Sequence, residues 1–195
     1  PRPLRMTIDS GIADIPIIIL AGGLGKRLGK ISEELPKAMF PFHDHPFIHY
    51  QLISLKSKGF RKVIICVGHL GENISQYVGN GSQYGLTVTY SNDGGDLLGT
   101  GGAVRKVCRE LNTKCFITYG DTLLLNEFDT LLSVFNGQAS MMIYQNNNMF
   151  DTSNVSLKNN TIVYSKLTPP KSANFIDYGV SLVASELLEP YPKVF

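Results

Sequence analysis

The run Ile-Pro-Ile-Ile-Ile-Leu at residues 15–20 constrains the fold more than any other stretch of this chain. Its isoleucines follow one another without polar alternation, so neither face of a strand built from them is left for water. Strands of that kind lie inside parallel sheets covered on both sides. The next ten residues, 21–30, carry four glycines and the basic side chains Lys26, Arg27 and Lys30. Glycine lets backbone N–H groups approach an anion closely, and the cationic side chains add charge. A turn of this composition at the end of a buried strand points to a phosphate ligand.

The same texture recurs downstream. Apolar runs at 62–68, 86–90 and 114–121 read as strands, and segments 46–59, 71–79, 99–111 and 127–137 show helical spacing. Pro46 near the start and Gly59 at the stop punctuate the first of these helices. Strand, glycine-rich turn and helix in repetition predict an α/β fold, a Rossmann-like doubly wound sheet that is mostly parallel. From residue 139 the chain changes to strands joined by Asn-rich turns, with Lys158-Asn159-Asn160-Thr161 as a hairpin tip. These predict an antiparallel section on one edge of the sheet. Residues 1–14 show neither period and are expected to form a loose leader. Residues 15–195 are expected to form one domain with halves 15–138 and 139–195.

Bulk properties narrow the function classes. With 195 residues, 43% of them hydrophobic, one sizeable core is expected. The 18 basic and 16 acidic side chains are interspersed, without the basic stripe of a nucleic-acid binder. Cys66, Cys108 and Cys115 are odd in number, lack Cys-x-x-Cys spacing and sit among apolar neighbours. They are expected to be reduced, buried and inert, as suits a cytoplasmic protein. The longest aliphatic run is far shorter than the roughly 20 residues of a membrane span. A glycine-rich loop follows it where a signal peptide would have a cleavage site. Neither membrane nor nucleic acid is an expected partner, and nothing in the sequence speaks to oligomeric state.

Two familiar phosphate-binding patterns fail. An NTPase-type loop ending at Gly25-Lys26 would need glycine at Leu20 and Ser or Thr at Arg27. The dinucleotide pattern G-x-G-x-x-G, started at Gly23, meets Leu28 where its third glycine belongs. His43 and His45 flank Asp44, but without a third ligand nearby they read as a turn before the first long helix.

The stretch LAGGLGKRLGKISEELPKAMFPF (20–42) resembles the opening of sugar-1-phosphate nucleotidyltransferases. There, L-x-G-G-x-G-x-R-L precedes a Pro-Lys-Pro element. LLGTGGAV (97–104), YGDTL (119–123) and DTSNVSL…IVYSKLTPP…FIDYGVSL (151–182) follow in the family's order. In flavour the chain is nearest the D-glycero-D-manno-heptose 1-phosphate guanylyltransferases; uridylyl- and cytidylyltransferases share most of these features. The resemblance implies attack by a sugar 1-phosphate oxygen on the α-phosphorus of a nucleoside triphosphate, GTP favoured, with release of pyrophosphate. Such chemistry needs positioning and charge stabilisation, with Mg²⁺ as cofactor, and no covalent nucleophile.

The resemblance also assigns roles. Leu20, Ala21, Gly22, Gly23 and Gly25 would pass under the nucleotide, and Thr100, Gly101 and Gly102 would face its base. Arg27 would grip the departing pyrophosphate, Lys37 would reach the reacting phosphates, and Asp121 would bind magnesium. Asn154, Lys166, Asp177 and Gly179 would hold the sugar phosphate. Two departures stand out: Lys26 replaces a threonine, and Ala38 replaces the second proline, which is expected to loosen the turn that fixes Lys37. A second family aspartate, in a D-x-G-x-P element, has no counterpart after Gly179. The chain is therefore expected to be a C-terminally incomplete form that binds nucleotide but turns over poorly. Its C-terminal helix would need a partner for Leu187, Leu188 and Val194. A nucleotide-sugar-binding module without catalysis and an unrelated nucleotide-binding interaction domain are the alternatives. The expected setting is nucleotide-sugar synthesis for surface polysaccharide.

Overall fold

The computed structural model describes residues 11–23, 34–94, 98–125, 128–159, 161–166 and 168–192. The isoleucine run forms β1 (Ile17–Leu20), flanked by β4 (Lys62–Val67) and β6 (Cys115–Tyr119), both parallel to it. β5 (Thr87–Asn92) pairs in parallel with β4, so the parallel part of the sheet runs β5-β4-β1-β6. The short strands β2 (Pro41–Phe42) and β3 (His45–Pro46) form a separate hairpin. Its tip residue His43 has φ 51°, and this is the turn expected before the first long helix.

Why β1 is isoleucine-rich is plain from the packing. Alternate residues of a strand point to opposite faces, and here both faces are buried. Ile17 and Ile19 join one core with Val63, Ile65 and Phe116, while Ile18 joins a second with Ile64 and Cys66. Helices α1 (Phe47–Ser57), α2 (Gly71–Val78) and α4 (Phe128–Ser133) supply the first core through Ile48, Leu52, Leu55, Ile74, Val78, Phe128 and Leu131. Helix α3 (Gly99–Leu111) supplies the second through Ala103, Val104, Val107 and Cys108. Phe60, Phe116 and Phe128 meet edge to face, with ring centroids 4.8 to 5.4 Å apart. The doubly wound expectation holds.

The later strands are antiparallel, as expected. β10 (Phe175–Val183) pairs with β6 on one side and β7 (Ala139–Gln145) on the other. The hairpin β8 (Val155–Lys158) and β9 (Thr161–Tyr164) extends the sheet through one pairing, Val155 with Phe175. The β7–β10 register shifts between Asp177 and Ser181, where Gly179 adopts φ 93°. Asn147, Asn148 and Asn159 all sit at left-handed φ, which explains why the connections here are rich in asparagine.

Three expectations need correction. The end of the supposed leader is packed: Ile12–Asp14 form a 3₁₀ turn, and Ile12 is buried in the first core. Of the helix expected over 127–137, the described residues form Phe128–Ser133, and residues 134–137 are not helical. The expected C-terminal helix is a 3₁₀ turn, Ser185–Leu188, and it does have a partner in α3. Arg105 donates from Nε to Leu188 O (3.1 Å) and from a terminal nitrogen to Glu189 O (3.3 Å). Val194 lies outside the described residues. No helix among the described residues is long and apolar enough to cross a membrane.

Candidate active site

Numbered along the chain, the parallel strands lie in spatial order third, second, first, fourth. The connections therefore diverge between β1 and β6, where an open α/β sheet leaves a crevice beyond the strands' carboxyl ends. A cavity of about 440 Å³ sits there, and Leu20, Ala21, Gly22, Gly23, Lys37, Thr100, Asp121 and Lys166 all line it. The turn after β1 is held by Ala21 N–H donating to Cys66 O at 2.9 Å. A Cβ on Gly68 would come within 2.8 Å of Gly22 O, and one on Gly120 within 3.0 Å of the Ala21 Cβ. Glycine at 68 and 120 lets the ends of β1, β4 and β6 converge, so much of the cavity wall is backbone.

Lys37 and Asp121 arrive from different elements. Lys37 opens the 3₁₀ turn Lys37–Met39 and Asp121 follows β6; Lys37 Nζ lies 3.2 Å from Asp121 Oδ2. The substitution at Ala38 does not loosen this turn. Met39 N–H donates to Pro36 O at 2.8 Å and Phe40 N–H to Lys37 O at 3.0 Å. The Ala38 methyl is buried in the first core, so packing replaces the rigidity of a proline ring.

The residues expected to face a base are partly rearranged. Gly99, Thr100 and Ala103 line the cavity, whereas Gly101 and Gly102 do not, and Gly102 is buried in the first turn of α3. Residues three apart share a helix face, and those between them turn away. In their place the cavity gains Asp93, just past β5. Burial pushes its carboxyl above the usual aspartate range, against the opposing pull of the Leu98 N–H and Lys106. Its Oδ1 is buried without a hydrogen-bond partner among the described residues.

Asn154, Asp177 and Gly179 do not line the cavity; they reach it through Tyr119, which does. The Tyr119 hydroxyl donates to Asp177 Oδ2 at 2.8 Å, and Gly179 N–H donates to Asp177 Oδ1 at 2.8 Å. Asp177 N–H in turn donates to Asn154 Oδ1 at 3.4 Å. Burial, then the nearby Asp177 carboxylate, pushes the Tyr119 hydroxyl well above its ordinary range. Of this group only Lys166 faces the cavity directly. Gly25 and Arg27 lie outside the described residues.

Sequence reasoning missed Asp93, Tyr119 and Gln51. Gln51 is buried, and its Nε2 donates to Tyr119 O (2.7 Å) and Thr122 O (2.8 Å), on either side of Asp121. For Tyr119 a signal was available, since it directly precedes Gly120-Asp121. The histidines lie elsewhere: His45 stacks on His49 at 4.0 Å, and both rings contact the Tyr77 hydroxyl. The three cysteines are free and buried, and burial pushes the Cys66 thiol to about 12.

The donor set suits one hard cation held jointly with a ligand. Among the described residues no cluster of three His, Cys, Asp or Glu side chains could hold a metal alone. Asp121 is half exposed at the cavity. One or two carboxylates with substrate phosphates is how Mg²⁺ is commonly bound, so the residues present fit that ion.

The chain is similar to known proteins in sequence and in fold. D-glycero-alpha-D-manno-heptose 1-phosphate guanylyltransferase of Aneurinibacillus thermoaerophilus is 43% identical over 109 residues, 55% of this chain and 46% of that protein. The Campylobacter jejuni enzyme of the same description is 36% identical over 105 residues, 54% and 47% respectively. The chain thus spans about half the length of these curated relatives. The crystal structure of HddC from Yersinia pseudotuberculosis superposes with a TM-score of 0.75 at 22% identity, covering 93% of this chain and 82% of that one. The same protein complexed with GMP-PN gives 0.74, again at 22% identity and with 93% and 82% covered. At that identity the likeness shows the fold. Residues 17–150 match the family described as nucleotidyl transferase, a span that runs from the first residue of β1 past β6 and its Asp121; the chain belongs to that family.

Proposed function

We propose that this chain transfers a nucleotidyl group from a nucleoside triphosphate, GTP favoured, to a sugar 1-phosphate such as a heptose 1-phosphate, releasing pyrophosphate. One observation carries this: a single cavity at the switch point brings the Ala21–Gly23 turn, the Lys37–Asp121 pair and Lys166 together. The attacking phosphate oxygen is already an anion, so the protein's task is to align two polyanions and offset charge on the leaving pyrophosphate. The backbone turn seats the nucleotide. Lys37, freed from Asp121 when phosphates arrive, stabilises charge on the reacting phosphates; Lys166 pairs with the sugar's phosphate. Asp121 would hold Mg²⁺, which supplies charge neutralisation between the phosphates. Asp177 and Asn154 orient the sugar from behind Tyr119.

The preference for GTP rests on Asp93 and on the guanylyltransferases among the relatives. A carboxylate oxygen can accept more than one hydrogen bond, and guanine offers two adjacent N–H donors, N1–H and N2–H, on one edge. Cytosine has no such pair, and uracil has one N–H. The setting is synthesis of a nucleotide-activated sugar for surface polysaccharide, in the cytoplasm. Pyrophosphate release measured with GTP, UTP, CTP and ATP, each against several sugar 1-phosphates, tests the proposal. The expected result is turnover greatest with GTP and a heptose 1-phosphate. Turnover greatest with UTP or CTP would overturn the base. Tight nucleotide binding without turnover would favour a binding module instead.

A further inference from the structure

The carboxylate assigned to the cation sits on a short turn, and the chain spends a buried polar side chain on that turn alone. Gln51 lies on α1 between Ile48 and Leu52, both fully buried, so the base of its side chain is fixed in the first core. It is itself 3% exposed. Its amide nitrogen donates to Tyr119 O at 2.7 Å and Thr122 O at 2.8 Å. These carbonyls bracket Gly120 and Asp121, and the turn's own bond, Thr122 N–H to Tyr119 O, is longer at 3.3 Å. A neutral carboxamide can give two hydrogens from one nitrogen. Methionine of similar length gives none, and lysine would bring a charge into the core.

The arrangement carries a penalty. Gln51 Oε1 is buried without a hydrogen-bond partner among the described residues, a cost an apolar side chain would avoid. A feature kept at such a cost is explained by what it positions. We infer that Gln51 is a positioning residue: it staples the Tyr119–Thr122 turn and so aims the Asp121 carboxylate toward Lys37 and the cation. This rests on the nucleotidyl-transfer assignment of the cavity. Asp121 itself is half exposed and, among the described residues, its side chain meets only the partly exposed Lys37 ammonium, so the turn's backbone sets where the carboxylate points.

The test compares wild type with Gln51→Met, which keeps volume and removes both donors, and Gln51→Leu, which removes them with a compact apolar side chain. Asp121→Asn is the reference. Mn²⁺, standing in for Mg²⁺, is titrated by electron paramagnetic resonance with a non-hydrolysable GTP analogue present; kcat, KM for GTP and Tm are measured alongside. Loss of an outer-shell partner commonly weakens a metal site or activity by about 10–100-fold. The expected result is a roughly tenfold loss of Mn²⁺ affinity and of kcat in Gln51→Met, with KM for GTP within about twofold. Gln51→Leu should move the same way, and it decides the matter if Gln51→Met does not fold. A lower Tm with unchanged Mn²⁺ affinity and kcat would overturn the inference, leaving Gln51 a purely structural residue. If Asp121→Asn also leaves Mn²⁺ affinity unchanged, the assignment of Asp121 to the cation has failed, and the inference with it.

Discussion

The two halves of the sheet solve opposite problems. In the parallel half, β1 and β4 are closed to water almost throughout, and Ile17, Ile18 and Ile19 are all 0% exposed. In the antiparallel half, β7 has no buried residue, and β9 leaves Val163 53% exposed. The first half is a rigid frame whose strand ends converge on the cavity. The second reaches that cavity directly through Lys166 and otherwise through Tyr119, a residue of the first half. Precision in reacting phosphates is therefore expected from the parallel half. Adaptation to the acceptor is expected from the antiparallel one.

The comparison breaks most visibly at Asp121. Asp121→Asn should lower kcat by about 10²–10³-fold, the scale seen when a group stabilising transition-state charge is lost. Nucleotide binding without divalent cation and the Tm should stay near wild type. Near-normal turnover would remove Asp121 from the cation and move the chemical centre away from β6.

Core substitutions test the difference in rigidity. Ile19→Ala, in a fully buried strand, should cost about 2–5 kcal/mol in denaturant unfolding. Val163→Ala, at a half-exposed position, should stay within about 0.5 kcal/mol. Equal effects would mean that the antiparallel half carries as much of the fold's stability as the parallel half.

Much of this was legible beforehand, for reasons that particular residues make clear. The isoleucines of β1 advertise burial on both faces, and glycines at 22 and 120 sit where backbone approaches backbone. The family resemblance pointed to Lys37 and Asp121, and both line the cavity. Gln51 was not legible: within His-Tyr-Gln-Leu it looks like any polar helix residue, and its partners lie 68 and 71 positions away. Asp177 was expected to face the ligand, yet its oxygens meet Tyr119 and Gly179 first, because the shift in register near Gly179 places them there. Gly101 and Gly102 misled because composition does not say which helix face meets the cavity.

A smaller effect is expected where the halves join. Tyr119→Phe removes only the hydroxyl that Asp177 accepts. A hydrogen bond to a charged group contributes about 1.5–3 kcal/mol at most when both partners are well buried. Because Asp177 keeps the Gly179 N–H, a fivefold to tenfold rise in KM for sugar 1-phosphate is a reasonable scale, about 1 kcal/mol. KM for nucleotide and kcat should change less. A larger effect on nucleotide than on sugar would place Tyr119 with the parallel half in function as well as in chain position.

The smallest effect on stability tests whether the Asp93 end of the cavity was shaped for function against stability. Burial raises the Asp93 carboxyl above its ordinary value of 3.8, so the folded chain holds that proton more tightly than the unfolded one does. The sign follows from linkage: Asp93's contribution to stability is full below the unfolded value and is lost as pH rises through the folded one. Ionised Asp93 therefore weakens the fold at neutral pH. Asp93→Asn, nearly isosteric and uncharged, should raise Tm at pH 7 by roughly 1–3 °C. The gain should shrink as the pH is lowered and disappear below the ordinary aspartate value. The same substitution should weaken GTP binding about tenfold, since one of two acceptors becomes a donor facing guanine's N–H groups. Affinity for CTP, whose amino group can still meet the remaining oxygen, should change less. Parallel thermal-shift titrations with GTP and CTP at pH 7 and pH 4 read both arms. A lower Tm with unchanged GTP affinity would make Asp93 a structural acceptor for the Leu98 N–H, and the preference for guanine would then need another source.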